Sequence, residues 1–455
     1  MKDQAKYIRK GLMLLVLCSF IIIGKIKEHS IDNSVQSLDA EAKGKIIEEI
    51  AQVIEKEYVF PDVAEKIAGY IRKRNKEKSY ESITNLNGFI EEITKDLRSI
   101  NNDAHLGLIL RRQAVKGGDT QEEMYEAFFL KRAPFQNYGF KKAERLLGNV
   151  GCIVIDEFSY IEMEGKNVGR DTAKAVLKMI SNCYALIIDL RDNFGGREEM
   201  ALLLLDYFFK EPTHILTNKY RGREDNQIWT KGMHKEGRLA EIPLYILTSQ
   251  HTVSGGEMFA YVLKNRGRAA IIGENTRGAA HKTHLFSLQS AKIDIAIPVG
   301  TTIDPITGED WEGKGVEPDI YVSSGKALYM AYKTALEGIM QEDVDRTEKS
   351  EMAWALMEVE ANLNPVKINQ SLLKEYVGVF GERKIYLENS TLIYQWGNRT
   401  AYELAPMSKD LFSFIDKGMF YVRIQFNRGK TGVVDKIILL YDTGQKREYK
   451  KTGDQ

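Results

Sequence analysis

The sequence predicts an α/β protein with an N-terminal helical domain and a C-terminal all-β module. Three observations carry this expectation. In the first hundred residues apolar side chains recur at helical spacing, as in Ile46, Ile47, Ile50, Ala51 and Ile54. The middle third alternates short apolar runs with helical stretches: 150–156, 185–190, 244–248 and 269–273 as strands; 168–180, 198–209 and 255–264 as helices. Such alternation points to a parallel-rich sheet. From Tyr376 onward the pattern changes to short strand-like runs joined by Gly, Asn and Asp turns, which predicts a sandwich or barrel.

The chain has 455 residues, with 64 Lys+Arg against 64 Asp+Glu, so no net charge points to nucleic acid as a partner. Taken in order, Lys2, Lys6, Arg9 and Lys10 precede an uncharged run, GLMLLVLCSFIIIG at 11–24. A basic start and about fourteen mostly apolar residues form a secretory-signal pattern, short of the roughly 20 residues a full span needs. Residues 1–34 are therefore expected to be a signal peptide or membrane anchor, and the protein to be extracytoplasmic, secreted or held at the cell membrane. Cys152 and Cys183 sit beside strand-like runs and read as core residues, so no disulfide framework or paired-cysteine zinc site is expected.

Residues 41–58 and 63–73, on either side of Pro61, and then 83–97 read as helices of a domain over 35–104. NNDAHLGLIL at 101–110 is a turn running into a strand, with His105 at the seam. A lone histidine there is commonly a turn residue; the alternative is a catalytic base. In the α/β region, strand ends carry glycine-rich turns at Gly195–Gly196 and at Gly255–Gly256, where an open α/β sheet places its ligands. Ser254 lies between the strand 244–248 and the following helix. It is either an N-cap, with its Oγ on the N–H of Gly256 or Glu257, or a nucleophile beside free main-chain N–H groups. Glu312 falls in a glycine- and proline-rich loop, where an acid is ordinarily a solvated turn residue. The helices over 325–340 and 351–362 lead to the β module, which holds no chemical cluster of Ser, His and acids.

Four stretches in order, DLRDNFGG (189–196), TVSGGE (252–257), GENTRG (273–278) and GVEPD (315–319), resemble the S41 family of serine peptidases. The resemblance covers about 150–325 and implies a ClpP/crotonase-like catalytic core. One branch of that family, the C-terminal processing proteases, uses a lysine in a Thr-x-Gly-Lys-Gly pattern. Here Ala279 stands at that lysine position, and Lys282 is three residues off. The tricorn and interphotoreceptor retinoid-binding-like branch uses a histidine in an Asp-x-His motif, matched by Asp103 and His105, and a glutamate before Gly-Val-x-Pro-Asp, matched by Glu312. The tricorn serine before the histidine is Ala104 here.

The resemblance thus implies a peptidase acting on peptides or proteins through Ser254, His105 and Glu312 and an acyl-enzyme. Gly195, Gly196 and Gly255 would form the oxyanion hole, with no cofactor and no metal. Serine is a weak nucleophile that needs a base, histidine's pKa of ~6.5 suits that task, and a carboxylate fixes the tautomer. The implied division is a catalytic domain over 105–342, a helical linker over 343–365 and the β module over 366–455. The rival is a non-catalytic scaffold holding an apolar ligand or peptide in the same cleft. An esterase elbow fails because Thr252 replaces the first glycine of Gly-x-Ser-x-Gly. A metal pair of His281 and His284 fails because the two would face opposite sides of a strand.

Overall fold

A computed structural model describes residues 38–111, 121–232, 238–415 and 421–453. The basic start and the apolar run at 11–24 lie outside the described residues. Among those described, no helix is long and apolar enough to cross a membrane. The described residues form two compact units, one running to Glu144 and from Gly151 to Ser324, the other from Arg145 to Val150 and from Gly325 onward.

In the first unit, α1 (Ala40–Glu57) starts where Asp39 accepts the Ala42 N–H at 2.8 Å. It ends before Pro61, which opens α2 (Pro61–Lys76) at a position where a missing N–H costs nothing. With α3 (Leu86–Arg98), these helices bury Ile46, Ile50, Ile54, Ile67, Phe89 and Ile93. They do not form a core of their own. They share it with Leu106, Leu108, Ile293, Ile295 and Ile297 of an antiparallel sheet. That sheet runs in the order β1 (Gly107–Leu110), β10 (Ile293–Ile303), β5 (His214–Tyr220), β6 (Asn226–Trp229), with β9 (Lys282–Ser287) also on β10. The end of α1 delivers Tyr58, fully buried, beside the turn that carries His105.

The second sheet of this unit has six strands. Their order is β11 (Ile320–Tyr321), β8 (Ala270–Gly273), β7 (Leu244–Thr248), β4 (Ala185–Asp189), β3 (Val150–Ile155), β2 (Phe140–Leu146). The pairs β11–β8, β8–β7 and β7–β4 are parallel, as the alternation predicts. Every residue of β4 and β7 is buried, as expected of strands covered on both faces. Helices α5 (Val168–Ile180), α6 (Glu198–Leu205) and α7 (Gly255–Asn265) contribute Leu177, Leu204 and Phe259 to the same core. Because Asp189 and Leu247 are in register, the loops leaving β4 and β7 emerge side by side.

Periodicity did not reveal the helix α4 (Gln121–Arg132), β2 or the β5–β6 hairpin, whose sequences lack a clean apolar alternation. In the second unit, α8 (Ser324–Met340) matches its expected span, whereas α9 (Arg346–Leu363) begins five residues before the expected 351. The Asp345–Glu348 capping box sets that start, not the apolar pattern. After α10 (Gln370–Glu375) comes an antiparallel meander of eight strands, β12 (Gly378–Phe380) to β19 (Lys446–Lys450), each paired with the next. Val379 N–H donates to Gly453 at 2.9 Å and Thr452 N–H to Val379 at 2.8 Å, which nearly closes the sheet on itself. Its inside is filled by Tyr376, Phe380, Tyr394, Phe412, Phe414 and Phe426.

The apolar cluster inside the sheet is drawn from residues 368–449, while buried Arg423 also donates to the Trp354 carbonyl of α9 at 2.6 Å. On the strength of the apolar cluster, a polypeptide of residues 366–455 is expected to be soluble and to unfold cooperatively in urea. An insoluble or non-cooperative product would mean that the sheet depends on the helices before it.

Candidate active site

The loop after β7 is tied to the loop after β4 before it reaches Ser254. Thr252 Oγ1 donates to the Leu190 carbonyl at 2.7 Å, and Val253 N–H to the Asn193 carbonyl at 2.9 Å. Ser254 then adopts φ +56°, ψ −111°, a conformation most L-residues avoid. Such a geometry costs about 1–3 kcal/mol and persists only where surrounding structure enforces it. The enforcer is Glu257, fully buried, whose carboxylate accepts the Ser254 N–H at 2.7 Å. Of the two halves of this capping box, the glutamate half is the well-formed one. Ser254 Oγ is buried and makes no bond of hydrogen-bonding geometry among the described residues. The hydroxyl is therefore not spent as a cap.

Glu257 also accepts from Thr276 Oγ1 at 2.6 Å, Gly278 N–H at 2.5 Å and Ala279 N–H at 2.9 Å. Burial pushes its carboxyl up to about 7, against the pull of those four donors. It thus couples the serine turn to the 276–279 segment.

The glycine turn after β4 faces the serine. A Cβ on Gly195 (φ +96°) would lie 3.0 Å from Ser254 Cβ, and one on Gly196 (φ +122°) 2.2 Å from the Phe158 carbonyl oxygen. Neither position accepts a side chain. The Gly195 N–H is already committed, donating to Asn193 Oδ1 at 2.9 Å. Among the described residues no acceptor claims the N–H of Gly196 or of Gly255, and a Cβ on Gly255 would sit 3.4 Å from the Gly196 nitrogen. These two N–H groups are the neighbouring donors available beside Ser254.

His105 is buried, its main-chain N–H on Asp103 Oδ1 at 3.0 Å and its Nδ1 against Glu312 Oε2 at 3.2 Å. Glu312 is not a solvated loop acid. Its Oε1 accepts from Ala104 N–H at 3.1 Å, and its Oε2 from Ala280 N–H at 2.6 Å and His281 N–H at 3.0 Å. The loop that carries it is pinned by Trp311 Nε1, which donates to the Ala279 carbonyl at 3.1 Å. So the predicted His105 and Glu312 are brought together across 207 positions of sequence. Ser254 is linked to them through Glu257 and the 276–281 segment, which Glu257 grips at one end and Glu312 at the other.

The competing base is placed differently. Lys282 Nζ lies 2.7 Å from Glu198 Oε2 in a nearly buried ion pair. Burial pulls its pKa down, but Glu198 and its neighbours outweigh that and hold it above the ordinary lysine value. It stays an ammonium, which cannot take a proton.

Sequence reading missed Asp103, His281, Asp310 and Tyr58 as parts of the site. Asp103 Oδ2 accepts from Tyr58 OH at 2.7 Å and meets His281 Nδ1 at 2.8 Å. The available signal was Asp103 itself, two residues before His105. His281 precedes β9 while His284 lies within it, edge-on to Phe286. Asp103, His281 and Glu312 do bring ligand-type atoms within 4.8 Å of one another. Those of Asp103 and Glu312 already accept from Tyr58, His281, Ala280 and His105, which makes the cluster a hydrogen-bonded hub.

Residues 149–322 match the protein-family model Peptidase family S41, and residues 34–133 match that described as the N-terminal domain of Peptidase_S41 in eukaryotic IRBP. The chain belongs to peptidase family S41. It is 23% identical over 184 residues to the chloroplastic carboxyl-terminal-processing peptidase 1 of Arabidopsis thaliana, covering 40% of this chain and 35% of that one. It is 23% identical over 258 residues to a probable CtpA-like serine protease of Staphylococcus aureus, covering 54% and 46%. The matches thus span about a third to a half of the length of these relatives. Among solved structures, a putative peptidase from Parabacteroides merdae is similar at TM-score 0.47 and 16% identity, over 67% of this chain and 96% of that one.

Proposed function

We propose that the chain is a serine-type peptidase with Ser254 as nucleophile, His105 as general base and Glu312 as the carboxylate that orients His105, on a ClpP/crotonase-like core. The observation that carries this reading is the carboxylate of Glu312 on His105 Nδ1, held there by three main-chain N–H groups. With Nδ1–H on the carboxylate, the tautomer leaves Nε2 as the basic nitrogen. Ser254 Oγ attacks the substrate carbonyl carbon as its proton passes to His105. The oxyanion is received by the N–H groups of Gly196 and Gly255. The role of Gly195 is to bring that turn against Ser254 and not to donate, since its N–H serves Asn193. Collapse of the tetrahedral intermediate expels the amine, protonated by His105, and water then cleaves the acyl-enzyme by the same route. The commitment of Lys282 to Glu198 favours the histidine design over the lysine design.

The substrate is a peptide or protein. Labelling with a fluorophosphonate probe, followed by peptide mapping, should place the adduct on Ser254, and the labelled protein should no longer cleave a denatured polypeptide. A protein that binds peptides without labelling or cleavage would be the non-catalytic scaffold instead. We further propose an extracytoplasmic location, motivated by the basic start and the apolar run at 11–24. Protease added to intact cells should then reach residues beyond 40, and protection lasting until lysis would count against export.

A further inference from the structure

We propose that His281 is a positioning residue of the same site: an imidazolium clamped between Asp103 and Asp310 that shares Glu312 with His105 and sets how strongly that carboxylate supports a charge on His105. The inference rests on the assignment of His105 and Glu312 as base and orienting acid.

The geometry around His281 is that of a charged ring. Its Nδ1 is 2.8 Å from Asp103 Oδ2, its Nε2 3.5 Å from Asp310 Oδ2, and its Nδ1 also 3.7 Å from Glu312 Oε2. A neutral imidazole has one donor and one acceptor nitrogen, so it would turn a lone pair towards one of these carboxylates. Only the doubly protonated ring suits both. Among the described residues, the other groups around it add no competing cation. Tyr58 OH donates to Asp103, Asn101 Nδ2 donates to Tyr58 OH, Thr301 Oγ1 donates to Asp310, and the Phe60 ring lies 5.5 Å away. His105 is the remaining titratable neighbour, its ring centroid 6.3 Å off. Burial pulls His281 down, but Asp103, Asp310 and Glu312 together outweigh it and hold it up at about 9. Asp103 is pushed up by burial and brought below its ordinary value chiefly by His281.

This arrangement gives Glu312 two cationic partners in the transition state and one in the resting state. A fixed charge on His281 opposes a second charge on His105 and drains part of the pull of Glu312. The ring stays poised to release the proton it has taken, instead of being trapped as a stable imidazolium. At 6.3 Å, and at an effective dielectric of ~20, removing such a charge is worth a shift of about one to two pH units.

The test is histidine-selective ¹⁵N NMR of the full chain, with resonances assigned by His105→Ala and His281→Asn. In the wild type, both nitrogens of His281 should carry protons at pH 7.5, while His105 titrates at lower pH. His281→Asn keeps an N–H donor for Asp103 but removes the charge. The His105 midpoint and the acid limb of kcat/KM should then both rise by about one to two pH units. A wild-type His281 with one protonated nitrogen at pH 7.5, or a His105 midpoint that does not move, overturns the proposal. Should His281→Asn fail to fold, Asp310→Asn should lower the His281 midpoint by at least half a unit, and an unchanged midpoint overturns the clamp. Activity separates the two levels of the argument. Coupled titrations in a protein that cleaves nothing support the electrostatic coupling and remove the peptidase reading. Cleavage without coupling removes this inference alone.

Discussion

Ser254→Ala is expected to reduce kcat/KM by on the order of 10⁴- to 10⁶-fold and to abolish fluorophosphonate labelling, with the fold intact. The fold should survive because Ser254 contributes its main chain, not its hydroxyl, to the start of α7. Its N–H is held by Glu257, its carbonyl accepts from Met258 N–H at 2.8 Å, and Oγ makes no well-formed hydrogen bond among the described residues. Most serines at a helix start would cost stability on truncation, by about 0.5–2 kcal/mol, because they cap the helix. Here the expected change in melting temperature is small, and this sets the nucleophile reading against the capping one in a single measurement. A large loss of stability with residual activity would mean that Oγ is structural. The residual rate should come from the N–H groups of Gly196 and Gly255, which Ser254→Ala leaves in place. Labelling that persists in the variant would put the reactive hydroxyl elsewhere.

The elements legible in sequence were those set by local physics. β4 and β7 are fully buried strands, so their runs are continuously apolar and easy to read. Gly195 and Gly196 combine positive φ with close approaches of 3.0 and 2.2 Å to an added Cβ, so their type alone signals a close approach. His105 and Glu312 were legible only through motifs, because nothing local distinguishes a buried histidine at a turn from an exposed one. Of the hub beneath them only Asp103 left a trace in sequence, as the first residue of the Asp-x-His motif. Tyr58, Asp103, His281 and Asp310 come from α1, the His105 turn, the start of β9 and the Glu312 loop, and meet only when the first helices share the core of the antiparallel sheet. The same sharing explains why a helical stretch that reads as separate in sequence sits in one compact unit with the α/β layers. Glu257 is visible in sequence as part of the TVSGGE motif, but its task of joining the serine turn to 276–279 depends on contacts 19 to 22 residues away.

His105→Ala should lower kcat/KM by several orders of magnitude, whereas Lys282→Ala should leave it within a few-fold at a temperature where the variant is folded. Members of a triad act as a unit, so losing the base costs nearly as much as losing the nucleophile. Lys282→Ala instead strips the counter-charge from nearly buried Glu198, so its cost should fall on stability and not on the chemical step. Wild-type kcat/KM should rise with pH through a single ionisation in the histidine range, because the neutral ring is the species that accepts the serine proton. A lysine base would place that rise far higher, since the pair with Glu198 keeps Lys282 charged above the ordinary lysine range. Glu312→Gln tests the orienting role. Both carboxylate oxygens accept main-chain N–H donors, so an amide must turn its own NH₂ against at least one of them. The variant should therefore lose the loop geometry as well as control of the tautomer, and fall by about 10²- to 10⁴-fold. The opposite pattern, an inactive Lys282→Ala beside a nearly normal His105→Ala, would assign the chain to the lysine design and leave the His105–Glu312 pair as structure only.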